Sequence, residues 1–477
     1  MSESNFTTTL RDVFNVVRQS LKGEEMDYTK GSIRRSVILL AIPMMFEMIM
    51  ESVFALVDLY FVGHLEDSSH ALQIVGLTES FLTIIYSLAI GMSMAATAVV
   101  ARRIGEKNPE AAARAGVQAI IISIAITIVL SIVGFIKAKE LLLILGASET
   151  SAIKGTAFMQ IMMSGSIFIM LLFLINGIFR GAGNAAIAMK SLWLANIINI
   201  ILCPIFINGL WFIPAMGLTG AAIATTIGRS IGVLYQLYHL FSGKHTLKVR
   251  LSHWLPDWPQ IGSLVKIASP GILQFVIASC SWIFLAKLVA ETGGDAGSAG
   301  YQTALRLMMV FMLPAWGLSN AAATLVGQNL GAKQVERAEK SVAITIRYNV
   351  IFMAIVTALF LTCGEFFISF FTTDMAVINV ARQSLNVICL GYVFYGVGMV
   401  MMNAFNGAGD TVTPTWINFI GFWLFQIPFA YFLARTCDMG PMGVFISIPV
   451  SETLITIASF ILFKRGTSKC KSMNSER

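Results

Sequence analysis

Long apolar runs separated by short polar breaks fill the chain from about residue 35 to residue 463, with few polar positions inside them. A helix needs about 20 largely apolar residues to cross a bilayer. Twelve runs reach that length: about 35–63, 71–101, 115–136, 155–179, 187–207, 216–241, 261–290, 298–327, 341–363, 379–404, 413–434 and 440–463. The pattern predicts an all-α membrane protein of twelve transmembrane helices. Several runs exceed the minimum, so tilt or kinks are expected. Ahead of the first run, Phe6, Leu10, Val13, Phe14, Val17 and Leu21 are spaced for an interfacial amphipathic helix, with a frayed tail as the alternative. No continuous apolar stretch followed by a small-residue cleavage site marks a signal peptide there.

Charge sets the orientation. With the N-terminus inside, the even-numbered loops and both tails are cytoplasmic and hold 24 Lys and Arg, among them Arg180 and Lys190 in the loop after the fourth run. The opposite loops hold five. Positive residues concentrate on the cytoplasmic side, so both termini are expected inside a bacterial inner membrane. Composition agrees: of 477 residues 56% are hydrophobic and 12% charged, with a mean hydropathy of +0.76. Soluble chains average about 45–50% apolar and about 25% charged, which excludes an ordinary globular enzyme. The net charge of +7 would suit nucleic acid if clustered on a soluble face, but the basic residues lie between apolar runs. Six scattered cysteines lack metal-like spacing, five histidines fall at or beyond the run ends, and no phosphate-binding glycine loop occurs. No cofactor and no nucleic-acid partner are expected.

The chain repeats itself after about 226 residues. Ala41-Ile42-Pro43 faces Ala268-Ser269-Pro270, and Gly91-Met-Ser93-Met-Ala95-Ala96 answers Gly317-Leu-Ser319-Asn-Ala321-Ala322. Gly105-Glu-Lys107 answers Gly331-Ala-Lys333, and Phe179-Arg-Gly181-Ala-Gly183-Asn184 answers Phe405-Asn-Gly407-Ala-Gly409-Asp410. Six helices per copy give both copies one orientation, related by an axis along the membrane normal. The expected divisions are an N-terminal cytoplasmic segment 1–32, an N-lobe 33–241, a linker 242–260, a C-lobe 261–463 and a C-tail 464–477. Pro43 and Pro270 sit at matching depth, and an interior proline kinks a helix, so they are candidate hinges.

Ionisable residues at membrane depth are costly and mark function. The first helix carries Glu47, Glu51 and Asp58, and at about 100° per residue Glu47 and Asp58 are only about 20° apart. The stripe must face partner groups or a water-filled cavity. Asp58 is the candidate for exchanging a proton or holding Na⁺, and Glu47 and Glu51 are candidates for lining a substrate cavity. The matching positions in the second lobe are Gln274, Ala278 and Leu285, which leaves Gln274 as a further cavity candidate. Glu79, Arg229, Lys287, Arg306 and Glu452 also lie within apolar runs, as structural partners or gates. Methionine (25) and phenylalanine (33) suit a cavity for organic cations, though most fill lipid-facing surface.

These features resemble the multidrug and toxic compound extrusion family of antiporters over residues 33 to 463. The carrying residues are the two-lobe repeat, Ala41-Ile-Pro43 followed by Val57-Asp58-Leu-Tyr-Phe-Val62-Gly63-His64, the Gly105-Glu-Lys107 loop and Gly217-Leu-Thr-Gly220-Ala-Ala. The resemblance implies two lobes that alternate between membrane faces and export organic cations or amphipathic drugs in exchange for inward H⁺ or Na⁺, as a monomer. It implies that Asp58 matches the coupling aspartate and that Asn199 matches the asparagine of the N-lobe cation site, where Na⁺ would bind. Cys203 stands where an aspartate is common in the N-lobe-coupled, DinF-like branch. The other branch carries carboxylates in helices 7 and 10, absent here, so the N-lobe-coupled branch matches better. A flippase for lipid-linked or other amphipathic substrates is the alternative.

Overall fold

At membrane depth there is no water to satisfy backbone polar groups, so each apolar run closes its own hydrogen bonds as a helix. The computed structural model describes residues 10–23, 26–63, 65, 68–210 and 213–475. Phe6 and His64 lie outside them. After an initial helix Leu10–Lys22, the spans are Ile33–Gly63 (1), Ser68–Gly105 (2), Pro109–Ile136 (3), Glu149–Gly181 (4), Ala185–Asn208 (5) and Gly217–Phe241 (6). Trp258–Gly331 supplies spans 7 and 8, followed by Val335–Ser369 (9), Met375–Cys389 with Tyr392–Ala408 (10), Val412–Thr436 (11) and Pro441–Gly466 (12).

The chain departs from the expected pattern at three places. Helical bonding is continuous from Trp258 to Gly331 except at Gly294 (φ 61°, ψ −157°). That many residues in one line would measure roughly 110 Å against an apolar core of about 30 Å. Ile267 and Ala323 both meet the 405–411 turn, so the chain reverses at Gly294. The polar break between spans 7 and 8 thus contracts to one glycine, the residue that adopts positive φ at little cost. Span 10 is bent by 56° between Cys389 and Tyr392. Span 11 winds as π-helix over Phe419–Gln426 and Phe432–Thr436, and it is tied to span 7 by Trp423 Nε1 donating to the Ile277 carbonyl (3.0 Å).

Each lobe has its own core. In the first, Met170, Leu172, Ile175 and Ile178 of span 4 pack on Ala95, Ala96 and Ile120. In the second, Tyr301, Phe360, Leu385 and Phe445 interlock. The segment between spans 6 and 7 is pinned to span 3: the Gln118 amide donates to the carbonyls of His253 and Leu255 (both 2.8 Å) and accepts from the Asp257 amide (3.1 Å).

The lobes meet along a pseudo-symmetric seam at the end of the molecule where the initial helix and the end of span 12 lie. Gly105 lies against the carbonyl of Gln328, and Gly331 against that of Arg102; a Cβ on either glycine would overlap the oxygen. These two contacts exchange under a shift of 226 residues. Within the lobes the same shift relates Gly181 on the Thr97 carbonyl to Gly407 on the Ala323 carbonyl. Along the facing stripe of span 2, Thr97 is buried, Ile90 half-buried and Glu79 exposed; along span 8, Ala323 is buried, Trp316 half-buried, and Met309 and Arg306 exposed. The seam is closed at the terminal end and opens toward the other.

A short strap crosses the closed end. The Asp27 carboxylate accepts from Lys107 Nζ (2.8 Å) and from Thr29, and the buried Tyr28 hydroxyl donates to the Gly183 carbonyl (3.2 Å), all within the first lobe. From the second lobe, the Arg337 guanidinium donates to the carbonyls of Tyr28, Lys30 and Gly31 (2.8–3.3 Å). Burial alone would push the Asp27 carboxyl up, but the hydrogen bonds from Lys107 and Thr29 outweigh it and hold it at about 2.

Replacing Gly105 or Gly331 by alanine is expected to overpack the seam by about 1–3 kcal/mol and to populate states separated at the terminal end. Spin-label distances between spans 2 and 8 check this, and unchanged distributions in both variants would contradict it. Because Asp27 titrates lower when folded than its ordinary 3.8, its contribution is complete above that pH and fades as pH falls toward about 2. The protection of amides 26–31 against hydrogen exchange, taken relative to the intrinsic rate at each pH, should therefore stay high at pH 5 and fall on acidification through that window. Lys107→Ala should raise the pH at which protection is lost.

Candidate functional site

The acidic stripe of span 1 enters the interior of the first lobe, and two of its three members find arginines there. Glu47, 1% exposed, accepts on Oε1 from Asn176 Nδ2 (2.9 Å) and faces Arg180 Nη1 at 3.5 Å. Asn176 is held in turn: its Oδ1 accepts from Ser191 Oγ (3.0 Å) and Gln236 Nε2 (2.6 Å). Arg180 also donates to Ser93 Oγ (3.1 Å). One turn on, Glu51 accepts from Arg229 Nη2 (2.9 Å) and from Asn196 Nδ2 (3.1 Å). The Arg229 guanidinium lies over the rings of Phe54 and Phe173, 5.1 and 5.9 Å from their centroids. Span 4 thus supplies both an amide and a cation to Glu47, while spans 5 and 6 supply an amide and a cation to Glu51.

Asp58 is different. It is half-buried, makes no hydrogen bond or ion pair among the described residues, and lies within electrostatic reach of Glu79, Arg229 and Cys203. Two glutamates balanced by two arginines leave Asp58 as the member of the span 1 stripe without an ion-pair partner among the described residues. Such a carboxylate is able to take up one monovalent cation or one proton.

The remaining predicted residues fall as follows. Asn199 is buried on span 5 and donates to Thr225 Oγ1 (2.8 Å); it makes no hydrogen bond to Asp58. Cys203, one turn further, is fully buried. Gln274 is fastened inside the second lobe, donating to Asn406 Oδ1 (3.2 Å) and the Thr411 carbonyl (3.1 Å). Pro43 lies inside span 1 among buried Leu40 and Met44, and the Pro270 carbonyl accepts from Thr415 Oγ1 (2.8 Å). A cavity between the lobes, lined by Met48, Thr97, Phe173, Arg180, Trp316 and Asn320 among others, leaves about 40 Å³ for water, room for a few molecules. Among the described residues no three or more His, Cys, Asp or Glu side chains gather as a metal site.

Two arginines carry weight that the sequence hid. Arg180 was counted as a loop cation, but span 4 continues to Gly181 and buries it against Glu47. Arg229 was visible as a cation inside an apolar run; the missing step was that it requires an anion at the same depth, and Glu51 was the available one.

The MatE family profile matches residues 43–205 and 270–432, one block in each lobe. The probable multidrug resistance protein NorM of Thermotoga maritima is 26% identical over 436 residues, covering 91% of this chain and 93% of that protein. The multidrug export protein MepA of Staphylococcus aureus is 23% identical over 443 residues, covering 93% and 96%. A crystal structure described as MATE in the straight conformation is similar at a TM-score of 0.88 and 25% identity, covering 94% of this chain and 99% of that one.

Removing Arg229 strands Glu51 as an unpaired buried charge, a loss of about 3–5 kcal/mol for such pairs. Arg229→Ala should unfold at clearly lower temperature than wild type in detergent, and Arg229→Ala with Glu51→Gln should recover part of the loss. A double variant no more stable than Arg229→Ala alone would show that the pair is not coupled.

Proposed function

The chain belongs to the MatE family, whose members are membrane transporters and not enzymes, and on that premise we propose that it is a multidrug efflux antiporter coupled to protons through Asp58. The observation that carries this reading is the contrast on span 1: Glu47 and Glu51 are each matched by an arginine, and Asp58 is not. The relatives' names, multidrug resistance and multidrug export proteins, support the drug-efflux part.

In this reading the termini are cytoplasmic, as the Lys and Arg distribution favours, in a bacterial inner membrane, and the closed end of the seam faces inward. The protein is then open to the outside, with Asp58 in the outer half of span 1. A proton arriving from outside joins a carboxylate oxygen and cancels the unpaired charge of span 1, which weakens its hold on an organic cation. Phe173, Trp316 and Met48 along the cavity offer the polarizable and aromatic surface such cations prefer. With its charge cancelled, span 1 bends near Pro43, and span 7 near Pro270, as the seam shifts to the other face. There the proton leaves, and the restored carboxylate draws in the next cation. Drug and proton compete for one charge, which is the logic of exchange.

The surroundings favour the proton over Na⁺. A hard cation needs several oxygen ligands, whereas Cys203 presents sulfur, Arg229 repels, and Asn199 and Thr225 are bonded to each other. The chain is an N-lobe-coupled member of the family in this reading and works as a monomer.

Ethidium efflux from a pump-deficient bacterial host should fall at least tenfold in Asp58→Asn, stop when the pH gradient is collapsed, and continue when the Na⁺ gradient is removed. Wild-type rates in Asp58→Asn would overturn the site, and dependence on Na⁺ would overturn the proton. No export of any organic cation by well-expressed wild type would overturn drug efflux.

A further inference from the structure

The second lobe contains a carboxyl that the exchange described above does not use. Glu452 lies at mid-depth of span 12, 5% exposed, and its Oε1 is fully enclosed with no hydrogen-bond partner among the described residues. Among the described residues no lysine, arginine, histidine or second carboxylic acid acts on it. Its titratable neighbours are tyrosines of span 10: Tyr395, within electrostatic reach, and Tyr392, 2% exposed, whose hydroxyl is also buried without a partner. Both tyrosines and Glu452 line one cavity, closed by Trp282 of span 7 and by Met308 and Met312 of span 8.

Three features make this more than packing. The acid is alone, unlike Glu47 and Glu51. Two unsatisfied polar atoms, on different spans, line the same space. The 56° break in span 10 lies at this spot, with Gly391 packed on Pro449 one turn before Glu452, and broken helices near mid-membrane are where transporters place ion sites. The space selects the ligand. About 10 Å³ is available, enough for one water, so an organic cation is excluded in this state. Na⁺ would find one carboxylate and tyrosine hydroxyls amid carbon and sulfur, too few oxygens. A proton needs only the carboxylate oxygen and a water to deliver it.

We propose that Glu452 is a second proton-binding carboxyl, serving the C-lobe as Asp58 serves the N-lobe, so that each cycle returns two protons for one monovalent cation. In the forward step hydronium gives its proton to Glu452 and leaves as water; on the inner side the O–H bond breaks and water takes the proton away. The stoichiometric part rests on the antiport reading. Two charges in for one out moves one net charge inward, so every 100 mV of membrane potential should raise the attainable cation ratio by roughly 50-fold.

The test uses proteoliposomes of the full chain with ethidium as substrate. A potassium–valinomycin potential at equal pH should drive exchange in wild type; Glu452→Gln should still respond to a pH gradient but not to the potential, and Glu452→Asp should keep the response. Wild-type exchange that follows a pH gradient yet ignores the potential, or equal potential response in Glu452→Gln, overturns the proposal. No pH-driven exchange in wild type overturns the antiport reading instead. Infrared titration of the purified protein then decides the proton site alone: wild type should show a titrating carboxyl signal missing from Glu452→Gln, and identical spectra overturn it.

Discussion

A charge buried in an apolar bundle costs several kcal/mol unless an opposite charge and hydrogen bonds meet it there, and the interior of this protein is organised by that constraint. Glu47 and Arg180, Glu51 and Arg229 come from distant parts of the chain, and each pair draws in an asparagine that completes the shell. Spans 1, 4, 5 and 6 are thereby locked into one register. The pairs also neutralise four of the charges. In the proposed exchange, the chemistry falls to acids without such a partner, Asp58 in one lobe and Glu452 in the other.

The two lobes share a backbone plan and differ in charge. Glycine-to-carbonyl contacts, the positive-φ lysines Lys107 and Lys333, and the turns at Gly183 and Gly409 recur after 226 residues. The stripe of span 1 does not recur, and Glu452 sits on a different element from the N-lobe acids. Duplication therefore preserved what the seam needs, close backbone approach, while the interiors diverged. The strap adds asymmetry of another kind: it is made by the N-terminal segment alone, yet Arg337 of the second lobe holds three of its carbonyls.

Much of the fold was legible because the bilayer imposes a length and a polarity on every span. The twelve apolar runs and the repeat emerged from hydropathy and spacing, the two-lobed transporter fold followed from the family resemblance, and solved structures of the family share that fold. What was not legible depends on local geometry or on distant contacts. Gly294 looked like part of an ordinary loop, since nothing in Glu291-Thr-Gly-Gly-Asp295 says that one residue suffices to reverse the chain. The bend of span 10 carries no proline. Arg180 was misread by depth, because a helix end shifted by two residues moves a side chain from solvent to core. The stripe on span 1 was visible from the 3.6-residue period, but which of its acids would remain free depended on partners more than 120 residues away.

The exchange symmetry of the seam has an architectural consequence. Gly105 meets Gln328 as Gly331 meets Arg102, so each lobe presents to the other nearly the surface that it receives. An interface of that kind is self-complementary: one six-helix lobe already holds both the knob and the socket needed to pair with a copy of itself about the same axis. The present chain reads as such a pair joined end to end, with the stretch pinned by Gln118 as the suture.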